Sequence, residues 1–191
     1  SAIKLAHNFN LPSEVIKDIF LEIVIRLLEN EESKAIELVA NLNPPENFFA
    51  SQELKSVVLK KIAQRISSGN FDEAVTFQEK FKIDFGEVQG MAKVEATKML
   101  SSGSLENFLK ITKLFEIDIA EFREMAKQVA EKQLLGGSLE DFFKITKLFE
   151  IDIQQPEFKD IFTATTLFCR VEINDPVVSE LIPNDLTEPD L

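Results

Sequence analysis

Between residues 120 and 135, in AEFREMAKQVAEKQLL, the apolar residues Phe122, Met125, Ala126, Val129, Ala130 and Leu134 recur at helical spacing while charges fill the opposite side. That periodicity predicts an amphipathic helix, termed helix A. The GGS that follows supplies glycine for a left-handed cap, then Ser138 as an N-cap with Asp141 three residues on, a weak form of the capping box. A second helix, helix B, is expected from there. Its apolar residues Leu139, Phe142, Phe143, Ile145, Leu148 and Phe149 span more than one stripe. Such a helix packs on its partner and on a neighbouring unit, so helix B is expected to be the better buried of the two.

The pattern then repeats. Residues 103–119 and 137–153 share 15 identities in 17, differing only at Asn107/Asp141 and Leu109/Phe143. A fainter copy, GNFDEAVTFQEKFKIDF (69–85), lies another 34 residues upstream and keeps the Gly, the acidic pair and the closing Phe-x-Ile-Asp. A period of 34 residues belongs to arrays of helix pairs, in which one hairpin cannot hide its apolar face alone and leans on the next. Ser104 with Asn107, and Asn70 with Glu73, punctuate the equivalent junctions. Glu106 with Lys110, and Glu140 with Lys144, are expected to form i,i+4 pairs, contributing ~0.2–0.5 kcal/mol each.

The expected fold is therefore all-α: an α-solenoid of four to five 34-residue repeats followed by an irregular acidic tail. Hairpins are expected over about 14–43, 50–84, 86–118 and 120–152, with a half-hairpin at 156–172 that carries two extra residues, Gln154 and Gln155, in its preceding turn. These make one domain, 1–173. From 172 onward the chain has six acidic residues, three prolines and neither Lys nor Arg. Residues 174–191 are accordingly assigned to a solvated tail. At the other end AIKLAHNFNLP (2–12) is similar to the tail of a helix B without its helix A, which suggests a piece of a longer array.

The stretch GNFDEAVTFQEKFKID resembles the turn and second helix of a tetratricopeptide repeat. Gly69, Phe71, Ala74 and Asp84 stand where that family favours Gly, an aromatic, Ala and Asp. The resemblance covers roughly 50–153. It departs from the family in lacking the first-helix Trp and Tyr, the Pro after Asp84, Asp118 and Asp152, and about one residue of the second helix. Pentatricopeptide repeats, which read RNA, share the hairpin at a similar period. Superfamily membership implies a right-handed superhelix and a protein-binding scaffold whose first helices line the concave face.

Composition narrows the chemistry. Hydrophobic residues make up 45% and charged residues 28%, as in folded soluble proteins. A net charge of −12 repels a phosphate backbone and argues against a general nucleic-acid binder. There are 17 Phe but no Trp or Tyr, so aromatic mass favours core over interface. No apolar run reaches the ~18 residues of a membrane span, no secretory leader opens the chain, and the lone Cys169 gives no reason for an oxidising compartment. A cytoplasmic setting is expected. His7 and Cys169, the only His and Cys, have no partners for nucleophilic catalysis or zinc, so neither an enzyme nor a cofactor is expected.

Binding remains. Across the two best copies helix B is nearly invariant while helix A diverges, EVQGMAKVEATKMLSS against EFREMAKQVAEKQLLG. Opposite the apolar stripe of helix A lie Glu124, Lys127 and Glu131, matched 34 residues back by Gly90, Lys93 and Thr97. With Lys55, Lys60, Lys61 and Arg65 in the preceding helix A, one strip would be locally positive, suited to an acidic peptide. The expected function is a protein-interaction scaffold that uses Lys60, Gly90, Lys93, Thr97, Glu124, Lys127 and Glu131. The alternative, an RNA-binding repeat protein, rests on the same lysines.

Overall fold

A computed structural model describes residues 12–42, 44–154, 156, 158, 159 and 161. Among them eight α-helices follow in order: α1 (Ser13–Asn30), α2 (Glu32–Asn41), α3 (Gln52–Ser67), α4 (Phe71–Lys80), α5 (Phe85–Ser101), α6 (Leu105–Leu114), α7 (Arg123–Leu135) and α8 (Leu139–Leu148). The described residues contain no strand, and the fold is all-α. Odd-numbered helices correspond to helix A, even-numbered ones to helix B. Residues 2–11, His7 among them, lie outside the described residues. So do most of 156–172, including Cys169, and the tail at 174–191.

Each helix A buries one residue per turn. The quartets are Ile16, Phe20, Val24 and Leu28; Leu54, Val58, Ile62 and Ile66; Val88, Ala92, Ala96 and Leu100; and Phe122, Ala126, Ala130 and Leu134. The spacing of four residues puts each quartet on one stripe of its helix. Successive quartets stand 38, 34 and 34 residues apart. The longer first interval contains Pro44-Pro45 and a 3₁₀ turn, Phe48–Ala50, entered through Asn47 in the left-handed region. Phe48 is buried there edge-on to Phe20, with ring centroids 4.8 Å apart.

The turns explain why the sequence repeats. Gly69, Gly103 and Gly137 have φ of 79°, 80° and 78°, a conformation glycine adopts without steric cost. Each closes a helix A through the same bond pair: Gly69 N–H donates to Ile66 O and Asn70 N–H to Arg65 O, with equivalents at Gly103 and Gly137. This is the Schellman arrangement, which satisfies carbonyls left open at a helix end. Helix B ends the same way but without glycine. Lys82, Glu116 and Glu150 hold φ of 52°, 51° and 50°, and Ile83, Ile117 and Ile151 donate back to Gln78, Thr112 and Thr146 carbonyls. A side chain in this region costs roughly 1–2 kcal/mol. Glu116→Gly is therefore expected to raise stability by about 0.5–1 kcal/mol in urea titration, and Gly69→Ala, whose added Cβ meets nothing within 4 Å, to lower it by a similar amount.

Three local expectations need correction. Ser138 sits at an N-cap but accepts no backbone N–H; its Oγ instead donates to the Asp141 carboxylate at 2.8 Å, while at the equivalent junction Asn107 Nδ2 donates to Ser104 Oγ at 3.1 Å. The capping that does recur comes from the aspartates that close each copy: Asp84, Asp118 and Asp152 Oδ1 accept from Glu87, Ala120 and Gln154 N–H. Lys110 pairs not with Glu106 but with Asp72, at 2.9 Å, whereas Lys144 does pair with Glu140, at 2.6 Å. In α8, Phe142 and Ile145 are buried while Leu139, Phe143 and Leu148 stay partly exposed, so helix B is less completely covered than its composition suggests.

Two compact units divide the chain, one running to Glu95 and including Lys110–Ile117, the other comprising Ala96–Leu109 and the residues from Asp118. In the first, α1 packs on α2 and α3 on α4, while α1 also packs on α3 and α2 on α4. Like helix meets like helix. In the second, α7 packs on α8, and Phe108 stands edge-on to Phe122 at 5.2 Å and tilted to Phe149 at 5.7 Å. Phe142 meets Phe158 at 5.7 Å. Phe158 lies 36 residues beyond Phe122, the 34-residue period plus the two extra residues read at Gln154 and Gln155. No described helix is long and apolar enough to cross a membrane.

Candidate functional site

With the buried quartets as reference, equivalent positions on the outer face of helix A can be placed without assuming a fixed period. Two, five and nine residues beyond each quartet's first member stand Asp18, Leu21 and Ile25 on α1; Ser56, Leu59 and Ala63 on α3; Gly90, Lys93 and Thr97 on α5; and Glu124, Lys127 and Glu131 on α7. The residues singled out on α5 and α7 thus occupy one register. Gly90, Lys93 and Glu124 are exposed, and Thr97, Lys127 and Glu131 are partly buried. Lys60, one position after Leu59, is exposed.

The structure brings Glu124 and Lys127 together with Arg123, Ile151 and Asp152 around a hollow of about 260 Å³ in the second unit. Arg123 is fixed there because its guanidinium donates to Glu150 O at 2.8 Å, just as Gln89, its counterpart 34 residues earlier, donates to Phe115 O and Glu116 O. Lys127 extends over the Phe158 ring, its ammonium 6.0 Å from the centroid. Lys93 and Thr97 belong to different units, and neither lines this hollow.

The expected positive strip on α3 does not exist as a free surface. Lys55 pairs with Glu87 at 2.5 Å and Lys61 with Glu32 at 2.6 Å. Arg65 pairs with Glu32 and stacks over the Phe77 ring at 4.0 Å, and its Nε lies 3.2 Å from Glu73 without the alignment of a hydrogen bond. These three cations sit on the flanks of α3, where carboxylates of neighbouring elements reach them, rather than on its outer row. Partial burial pushes the Glu32 carboxyl up, but its hydrogen bonds to Lys61 and Arg65 outweigh this and hold it below the ordinary range.

A second hollow, of about 340 Å³ in the first unit, went unseen in the sequence. It lies between α1 and the start of α3, with Leu21 and Ile25 as its apolar floor and Asp18, Glu22, Glu29 and Glu53 around it. Arg26 also lines it and pairs with Glu22 at 2.9 Å. The signal that could have found it is the 38-residue first interval, since a strict 34-residue offset puts α1 out of register with the other helices A. No family profile, curated protein or solved structure matches the chain. Function is therefore approached through the chemistry of this face: exposed carboxylates, ammonium groups and aliphatic side chains on a rigid helical frame, a set suited to gripping another chain.

Proposed function

We propose that the chain is a right-handed α-solenoid of four to five hairpins, akin to the tetratricopeptide superfamily, and that it acts as a non-enzymatic scaffold holding a segment of a partner protein on its helix A face. The observation that carries this is a contrast within each hairpin. The turn geometry recurs at Gly69, Gly103 and Gly137, and again at Lys82, Glu116 and Glu150. The outer register of helix A, meanwhile, changes chemistry at every step, from Asp18, Leu21 and Ile25 to Glu124, Lys127 and Glu131. A constant frame with a varied outer row is how stacked repeats build binding surfaces. Both hollows border that row. Packing of α1 on α3 and α2 on α4 supports stacking of like helices.

RNA binding loses its main support, because Lys55, Lys61 and Arg65 are already neutralised by carboxylates. Photo-crosslinking amino acids placed at Lys60, Lys93 and Gln128 on helix A, and at Glu79 and Lys113 on exposed positions of helix B, test the proposal in cell extract. Protein adducts concentrated at the helix A positions are expected. Adducts confined to helix B positions, or tight RNA binding that collapses between low and moderate salt, would overturn it.

A further inference from the structure

The hollow between α1 and α3 differs from the rest of the helix A face in sign and in floor. Four carboxylates, Asp18, Glu22, Glu29 and Glu53, line it against one cation, Arg26, which Glu22 already engages. The apolar side chains of Leu21 and Ile25, spaced one turn apart, form the base. About 340 Å³ is at the lower end of what ligand sites offer, enough to seat bulky side chains of a docked segment.

The chemistry selects the occupant. Among the described residues no group of three or more His, Cys, Asp or Glu is placed to hold a metal ion, so these carboxylates do not form a cation cage. A second copy of this chain carries a net charge of −12 and would bring like charge to the rim, and the chain's own C-terminal stretch from 172 has no Lys or Arg to offer. What complements an aliphatic floor with an acidic rim is a basic amphipathic helix, whose apolar stripe seats on Leu21 and Ile25 while its flanking Lys or Arg meet the carboxylates.

We propose that this groove docks a basic amphipathic helix of a partner protein, an inference that rests on the scaffold function above and specifies the partner chemistry of its first hairpin. The probe is a fluorescent, end-capped peptide of Leu and Lys, about 18 residues or five helical turns, with its leucines on one stripe. A scrambled peptide of the same composition has no such stripe. Binding is followed by anisotropy to the full chain, to Asp18→Lys/Glu29→Lys, and to Glu106→Lys/Glu140→Lys, which makes the same charge change on helix B. The groove pair is expected to weaken binding about tenfold more than the helix B pair, and scrambling to weaken it by a similar factor. If the reversed pair loses helical circular dichroism, Asp18→Asn/Glu29→Gln replaces it, with the same ordering expected.

Equal losses in the two reversed pairs, equal affinity for the scrambled peptide, or no binding would overturn the proposal. Any of these alongside protein adducts at Lys60 or Lys93 removes only the groove's assigned partner, whereas adducts confined to helix B remove the scaffold function itself.

Discussion

Phe115→Ala and Phe149→Ala are each expected to destabilise the chain by about 3–5 kcal/mol, the cost of emptying a buried aromatic site. The two rings stand 34 residues apart at the end of a helix B, Phe115 with no exposed surface and Phe149 with 5%. Phe149 additionally loses its ring contact with Phe108, at 5.7 Å. Neither hairpin can compensate locally, since the residue that follows each ring, Glu116 or Glu150, is already held in the left-handed region by the turn. Urea unfolding with hydrogen exchange as the readout separates two outcomes. If hairpins depend on their neighbours, Phe115→Ala lowers amide protection in α4 and the first turns of α5 as well as in α6 itself. A loss confined to α6 would mean that hairpins are energetically independent, which contradicts stacking as the source of stability.

How much of this was legible in the sequence depends on the range of the interaction. Helix identity was readable because burial follows local periodicity: Phe122, Ala126, Ala130 and Leu134 announce their stripe within four turns. The glycine caps were readable because Gly69, Gly103 and Gly137 mark the positive φ that the turn requires. Their counterparts Lys82, Glu116 and Glu150 were not, since nothing about Lys or Glu signals that conformation and it is the surrounding turn that imposes it. Pairings between distant residues were also invisible. Lys110 lies four residues from Glu106 in sequence, yet folding delivers Asp72 to it, and Glu32 reaches Lys61 and Arg65 from the preceding hairpin.

The candidate site was legible in proportion. Gly90, Lys93 and Thr97 were correctly aligned with Glu124, Lys127 and Glu131 because a true 34-residue interval separates α5 from α7. The same offset fails between α1 and α3, where the 3₁₀ turn around Phe48 adds four residues. That shift hid Leu21 and Ile25 and left α3 cations as the apparent feature of the face, although their partners Glu32 and Glu87 neutralise them. Formal charge along a helix is thus a poor guide to the field it presents once flank positions meet carboxylates from neighbouring elements.

Replacing Glu32 by Gln is expected to cost about 1–2 kcal/mol at neutral pH, more than an exposed ion pair because one carboxylate serves two cations at once. The guanidinium of Arg65 is 14% exposed and stacked over Phe77, so loss of Glu32 leaves it only Glu73, which approaches its Nε poorly aligned. The sign with pH follows from the direction of the shift. Glu32 titrates below its ordinary value in the folded chain, so its ionised form is favoured by folding. Its contribution is complete above the unfolded-state value, near the ordinary 4.5, and drains away as pH falls through the lowered folded-state value. Urea midpoints of the wild type and Glu32→Gln should therefore stand well apart at about pH 7 and converge at about pH 3, where both side chains are neutral. The comparison cancels the remaining carboxylates, which titrate in both proteins. A gap of constant size from pH 7 to pH 3 would show that Glu32 acts through packing and not through its charge, and that the cations of α3 are held by something other than this ion pair.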